Sequence, residues 1–395
     1  MKTPQRIAAL AVLTTTSLAF AADTRVTPFR IEVPDVEIAG LKERLASTRW
    51  PSKAPVPGWQ RGVPLEYLKE LSEHWRTKFD WRAQEAKLNE LPQFTTTIDG
   101  LKLHFVHVKS KAPKARPLLL LHGWPGSFVE FQKVIEPLTR GAGGQAFHVI
   151  VPSLPGFGFS EAPAEAGWGT GRMAGAMLEL MKRLGYEKFA VHGNDTGAIV
   201  ARELAVAAPR NVAAMHVTQV FSFEPPEGEP ADAYEKKSRE TAARYEAELS
   251  GYMFVQSQCP QTLAYALTDS PVGQLAWLAD LFQGWTDNQG NLEDAVSRDH
   301  FLTNVSIYWF TRTAGPSSQV YAEASAAWGE PQKNTVPTGV AVFPKDGFLT
   351  VKRIAAQQNE VVHFNVFEKG GHFAAMEQPE VLVADLRRFF AKVWK

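Results

Sequence analysis

The chain is 395 residues long and 45% hydrophobic, and its 42 Lys and Arg are balanced by 42 Asp and Glu. That length and apolar content suit a soluble globular protein with one large domain and an insertion, or two domains, and exclude a disordered or fibrous class. The charge balance steers it toward neither nucleic acid nor an anionic membrane.

Residues 1–21 stand apart. Lys2 and Arg6 precede an apolar run from Ile7 to Phe20, which ends in Ala19-Phe20-Ala21. A basic start, a short apolar middle and a small-x-small exit make a bacterial-type secretory signal, so the mature protein is expected to start near Ala22, in the periplasm or secreted. An N-terminal anchor is the competing reading, but the run is short for a membrane span and diluted by Thr14, Thr15 and Thr16. Cys259 is the only cysteine, so export brings no internal disulfide.

Residues 22–93 are rich in Trp, Arg and Leu, with Leu68, Leu71 and Trp75 at helical spacing and Trp50-Pro51 and Trp59 among prolines. They read as an irregular, mostly helical segment wrapping the main domain. A hairpin follows, Phe94 to Ile98 and Leu101 to Val108 about Asp99-Gly100. After a Lys/Pro linker the pattern alternates: strand Leu118–Leu121, helix Phe128–Leu138, strand Phe147–Val151, helix Arg172–Leu184, strand Phe189–Val191, helix Ala198–Ala208, strand Ala214–Val220. Such alternation predicts a mostly parallel α/β sheet with helices on both faces. From 224 to 333 the rhythm stops in favour of charged and aromatic-rich helical stretches, a helical lid insertion. Strand patterns return at Val340–Phe343 and Val361–Phe367, closed by the amphipathic helix Pro379–Val393. The core is thus expected in two parts, 94–223 and 334–395.

Within this frame Gly193-Asn194-Asp195-Thr196-Gly197 joins a strand to a helix, with one carboxylate at the apex between two glycines. A strained turn of this form lifts a single side chain above the C-terminal edge of a parallel sheet. A serine there would need a base to attack a carbonyl, whereas a carboxylate is already ionised and can displace a leaving group from an alkyl carbon, forming an ester with the enzyme. An epoxide or an alkyl halide would then be the substrate. The bland alternative makes Asp195 a helix N-cap.

Three other corners bear on the choice. His122-Gly123-Trp124-Pro125-Gly126-Ser127 follows strand Leu118–Leu121, where a glycine-rich loop can aim a backbone N–H at the site; the second N–H would come from the residue after the nucleophile. Trp124 and Thr196 are therefore the expected oxyanion hole. Asp346 follows the penultimate strand and His372, in Gly370-Gly371-His372-Phe373, follows the last. Nucleophile, acid, base is the chain order of the α/β-hydrolases. Glu224, just past Val220, is a rival orienting acid, set aside because Pro225-Pro226 looks like the hinge into the lid.

With these pieces in hand, the chain resembles the microsomal-type epoxide hydrolases. The resemblance rests on Arg49-Trp50-Pro51, the His122–Ser127 loop, the stretch Pro152 to Ser160, the Asp195 elbow and Gly370 to Glu377, and covers the chain from about Pro28 onward. It implies the α/β-hydrolase fold and two lid tyrosines, Tyr252 and Tyr321, that polarise the epoxide oxygen. A phenol suits that task, because it can hydrogen-bond a developing alkoxide and then release its proton. The chain departs from the family at three places: Thr196 stands where many relatives carry Trp, Asp346 where Glu is frequent, and the Tyr321 segment is one residue shorter.

The expected activity is hydrolysis of an apolar epoxide to a vicinal diol through an ester on Asp195, cleaved by water that His372 and Asp346 activate, with no metal or organic cofactor. The expected partners are the small-molecule epoxide and water, with no nucleic acid, no stable membrane span in the mature form, and room for a homodimer. A haloalkane dehalogenase sharing the nucleophile and an exported non-catalytic ligand-binding protein are the alternatives. The apolar and aromatic lid residues, among them Met253, Phe282, Trp285 and Tyr308, suggest an apolar pocket.

Overall fold

The computed structural model describes residues 24–141, 144–221, 228–325 and 332–394. The secretory-signal stretch and Glu224 lie outside the described residues. Nine strands form one sheet: β1 (Thr27–Phe29), β2 (Gln93–Ile98), β3 (Leu101–Val108), β4 (Arg116–Leu121), β5 (Phe147–Pro152), β6 (Phe189–Gly193), β7 (Val212–Val217), β8 (Asn334–Val342) and β9 (Asn359–Val366). Their spatial order is β1-β2-β3-β5-β4-β6-β7-β8-β9. Pairing is antiparallel from β1 to β5 and parallel from β5 to β9.

The central strands are apolar without alternation, since helices cover both faces: Leu118 to Leu121 and Phe189 to Val191 are fully buried. The sheet order reverses at β4, whose neighbours β5 and β6 lead to opposite sides. Ligands in open α/β sheets bind at such a switch point, beyond the carboxyl ends of the strands.

Several elements differ from the sequence reading. After Ser127 the chain makes a tight turn over Phe128–Phe131 before the helix Gln132–Arg140. Strand β7 stops at Val217, three residues short of the expected end, which frees Thr218 and Gln219 to turn inward. Strand β8 starts earlier than expected, at Asn334. The region 22–93 adds a strand, β1, to the sheet edge, and its helices Asp35–Ala46, Leu65–Thr77 and Trp81–Leu88 hold the helical insertion as much as the core. Trp75 donates its indole N–H to Ser306 at 2.9 Å, Tyr67 its hydroxyl to Glu293 at 3.0 Å, and Trp81 packs on Phe310.

The insertion folds as helices between β7 and β8, including Ala233–Arg244, Gly251–Gln258, Pro271–Trp285, Arg298–Thr311 and Ala314–Ser325. Asp232 and Ser270 start two of them by accepting the N–H of Glu235 and Gly273. The helix Arg298–Thr311 is buried over most of its surface because the N-terminal helices cover one side and the core the other.

The turn after β6 is the tightest point of the fold. Asp195 has φ 52° and ψ −130°, a conformation that costs a non-glycine residue about 1–3 kcal/mol. The surroundings enforce it: a Cβ on Gly193 would fall 2.2 Å from the Gly197 carbonyl oxygen, and one on Gly197 would fall 2.1 Å from that of Leu121. Gly197→Ala is expected to lower stability by ~3 kcal/mol or more, read from the denaturant midpoint. A midpoint like the wild type would mean the turn is not so constrained.

Candidate active site

Asp195 occupies the N-cap position of the helix Thr196–Ala207, yet its side chain makes no cap hydrogen bond. Its Oδ1 accepts instead from the backbone N–H of Trp124 at 2.8 Å and from the Thr196 hydroxyl at 3.0 Å. Thr196, expected to contribute its backbone N–H to the oxyanion hole, thus also brings a hydroxyl to Oδ1. Oδ2 faces His372 Nε2 at 3.8 Å. The two carboxylate oxygens are therefore inequivalent, one held by donors and one turned to the histidine.

His372 rides on the loop after β9, where its N–H bonds the Trp285 carbonyl at 2.8 Å and its Nδ1 meets Asp346 Oδ1 at 3.1 Å. The structure brings Asp195, His372 and Asp346 together from the ends of β6, β9 and β8. Gln219 lies just past β7, while Glu224 falls outside the described residues. Its Oε1 accepts the Asp195 backbone N–H at 2.9 Å, and its Nε2 donates to Asp346 Oδ2 at 2.5 Å. That corner holds a neutral amide which fastens the acid to the elbow.

Two further carboxyls flank the histidine, Glu130 buried and Glu377 half-buried. Glu130 accepts from Asn194 Nδ2 at 2.8 Å, and the same amide group donates to the His372 carbonyl at 3.0 Å. Glu377 accepts the backbone N–H groups of Asp287, Gly371 and Phe373 at 2.8–3.0 Å, which pins the histidine loop. Burial pushes both carboxyls up to about 7. Gln219 and Glu130 escaped the sequence reading. Each stands at a strand-end corner, which was the available signal, but an amide past β7 and a carboxylate inside a βα turn carry no motif of their own.

The site opens into a cavity of about 140 Å³ lined by Asp195, Thr196, Tyr245, Tyr252, Trp285, Tyr321, Asp346 and His372, with Ile199, Met253, Val320 and Phe348 as apolar wall. The Tyr252 ring stacks on Trp124 at 5.5 Å, and Tyr321 stands edge-on to both. Tyr252 hydrogen-bonds the hydroxyl of Tyr245 at 2.7 Å and also lies toward the hydroxyl of Tyr321, which has no partner at hydrogen-bond geometry among the described residues. Burial, then neighbouring Tyr321, Tyr245 and Asp195, hold Tyr252 well above its usual pKa, so it is a protonated donor.

Residues 26–131 match the family model described as epoxide hydrolase N terminus, and residues 116–379 match the alpha/beta hydrolase fold. Epoxide hydrolase 1 of Sus scrofa is 34% identical, over 94% of this chain and 90% of its own length. A Stigmatella aurantiaca (strain DW4/3-1) protein, itself named only as a candidate epoxide hydrolase, is 45% identical over 93% of this chain and 85% of its own length. The chain belongs to the microsomal-type epoxide hydrolase family. The Aspergillus niger epoxide hydrolase structure superposes with a TM-score of 0.86 at 32% identity, covering 94% of this chain and 98% of that one. The α/β-hydrolase fold follows from the same matches.

In this epoxide hydrolase fold the histidine is flanked by carboxylates on both ring nitrogens. Burial alone would lower His372, but the Asp346 carboxylate and its hydrogen bond, then Asp195 and Glu130, outweigh it and raise the ring to about 9. The two carboxylates that flank the ring thus favour its protonated form. Among the described residues no group of three or more His, Cys, Asp or Glu side chains is arranged to hold a metal ion, and no helix is long and apolar enough to cross a membrane.

Asp195→Asn removes one of the charges that raise His372, so the ring should titrate at a lower pH than in the wild type. Imidazole shifts followed by NMR across pH would measure it. Equal titration curves would mean that Asp195 does not act on the histidine.

Proposed function

We propose that this epoxide hydrolase opens apolar epoxides through a covalent ester on Asp195. The observation that carries the reading is the asymmetry of that carboxylate: Oδ1 is held by Trp124 and Thr196, and Oδ2 is turned to His372 beside the cavity. Oδ2 supplies the electron pair that forms the bond to the epoxide carbon. The ring C–O bond breaks toward oxygen, which takes a proton from the tyrosine pair Tyr252 and Tyr321.

Esterification then changes the base. The ester has lost the negative charge that helped to raise His372, so the imidazole pKa falls and the ring passes its proton, through solvent, to the tyrosinate left by ring opening. Oriented by Asp346, His372 Nε2 removes a proton from water, which attacks Cγ of Asp195. The oxyanion forms on Oδ1, where the Trp124 N–H and the Thr196 hydroxyl already point. Breakdown expels an alkoxide, which takes the proton of the nascent Asp195 carboxylic acid, so that the diol leaves, the carboxylate is restored and His372 is again protonated. The 3.8 Å separation of Nε2 from Oδ2 is too long for a hydrogen bond, so the attacking oxygen is not locked to the imidazolium beforehand.

A second reading has one observation in its favour. The indole N–H of Trp285, on the cavity wall, and that of Trp124 are buried without partners among the described residues. A halide leaves without needing a proton and could accept from such donors, so alkyl halides belong in the substrate panel.

The sequence also supports export, with Lys2, Arg6 and the run Ile7 to Phe20 directing the chain out and cleavage after Ala21. N-terminal sequencing of protein recovered outside the cytoplasm should read from Ala22, and an intact Met1 there would overturn cleavage.

Asp195→Ala should lower diol formation by on the order of 10³-fold or more in a folded protein, since the nucleophile is lost. His372→Gln should accumulate an ester on Asp195, seen by intact mass. In heavy-oxygen water, repeated turnover of the wild type should label Asp195. A turning-over enzyme with unlabelled Asp195 would mean direct attack of water on the epoxide.

A further inference from the structure

We propose that Tyr245 is a positioning residue that makes Tyr252, and not Tyr321, the tyrosine that surrenders its proton when the epoxide ring opens. The inference rests on the epoxide-opening reading above and divides a task that the family resemblance leaves shared between two phenols.

Tyr245 and Tyr252 are both buried, both line the cavity with Asp195, and their hydroxyl oxygens lie 2.7 Å apart. Seven residues separate them, close to two helical turns, which sets them on one face of the cap. The chain between them is not a plain helix: it widens over Tyr245–Leu249 before restarting at Gly251. Widened turns of this sort are rare and concentrate at functional sites.

The acid loop accommodates the ring. Tyr245 packs on Phe348 with centroids 4.3 Å apart, and a Cβ on Gly347, next to Asp346, would come within 2.8 Å of it. Its hydroxyl thus has a fixed place beside Tyr252.

The chemical argument turns on the charge left behind. A phenol that protonates the opening epoxide oxygen becomes a phenolate, and a buried phenolate without a donor is strongly disfavoured. In the resting protein either hydroxyl of the Tyr245–Tyr252 pair can donate. Once Tyr252 has lost its proton, only Tyr245 can donate, and the bond becomes a short, charge-assisted one. Tyr321 has no partner at hydrogen-bond geometry among the described residues, and the phenol that lies toward its hydroxyl is Tyr252 itself, with no second phenol placed behind it as Tyr245 is behind Tyr252. It can bind the oxygen of the substrate, but a negative charge there would be stabilised less. Tyr245 therefore acts through Tyr252.

The experiment measures ester formation and ester hydrolysis separately, by rapid quench and intact mass with a styrene oxide probe. The proteins are the parent and the variants Tyr245→Phe, Tyr252→Phe and Tyr321→Phe, together with two doubles that combine Tyr245→Phe with each of the others. Phenylalanine keeps the ring packing. Tyr245→Phe should slow ester formation by roughly tenfold while leaving ester hydrolysis unchanged. It should add nothing to Tyr252→Phe, and its full effect should multiply that of Tyr321→Phe. A merely structural role would slow both steps, or would persist when Tyr252 is already phenylalanine; either result overturns the inference, as does undiminished ester formation in Tyr245→Phe. If Tyr252→Phe itself forms ester at the parent rate, Tyr245 has nothing to act through and the inference falls while covalent catalysis stands. A parent enzyme that turns over without any ester on Asp195 takes both down.

Discussion

An ionised carboxylate held on a strained turn, at the seam between the sheet and its helical cap, is the constraint on which the rest of this structure depends. Burying such a charge is costly unless donors meet it. The fold meets one oxygen with the Trp124 N–H and the Thr196 hydroxyl, and sets the His372 ring opposite the other. The strain at φ 52° and the glycines around it belong to the same arrangement, since a relaxed helix start would turn the side chain back to cap its own helix.

Around that carboxylate the protein has placed negative charge and amides in a fixed order. Asp346 faces Nδ1 of the histidine, while Glu130, buried, and Glu377, half-buried, lie further out and are biased by desolvation toward their neutral forms. Gln219 and Asn194, both neutral, tie these groups to the elbow: one joins Asp346 to the Asp195 backbone, the other joins Glu130 to the histidine carbonyl. A third carboxylate in the place of Gln219 would compete with Asp346 for the imidazole; the amide holds geometry without adding charge. The histidine's protonation thereby becomes sensitive to the state of Asp195, the group whose charge changes during covalent catalysis.

The cap and the N-terminal region serve the same seam from above. Trp75, Tyr67 and Trp81 fasten the cap helices through Ser306, Glu293 and Phe310. Those helices in turn lay Tyr252, Trp285 and Tyr321 over the nucleophile. Aromatic rings in mutual contact move together, so the position of the phenols is set by this whole stack and not by one side chain.

Alternation of apolar strands and helices in the sequence was enough to specify a parallel α/β sheet, because central strands covered on both faces must be apolar throughout. The glycine-flanked Asp195 and the glycine-hinged His372 were legible too, since backbone strain leaves a local signature in residue type. Tyr252 and Tyr321 were reached only through resemblance; periodicity alone would have made each a packed aromatic. Gln219, Glu130 and Tyr245 left no such mark. Their importance comes from which strand ends and cap faces meet across 24, 64 or seven residues of chain, and from hydrogen bonds that form only there. Local sequence determined the turns and their chemistry, while tertiary structure alone decided which neutral and charged groups would share one buried space, because electrostatic partners are chosen by distance through space and not by separation along the chain.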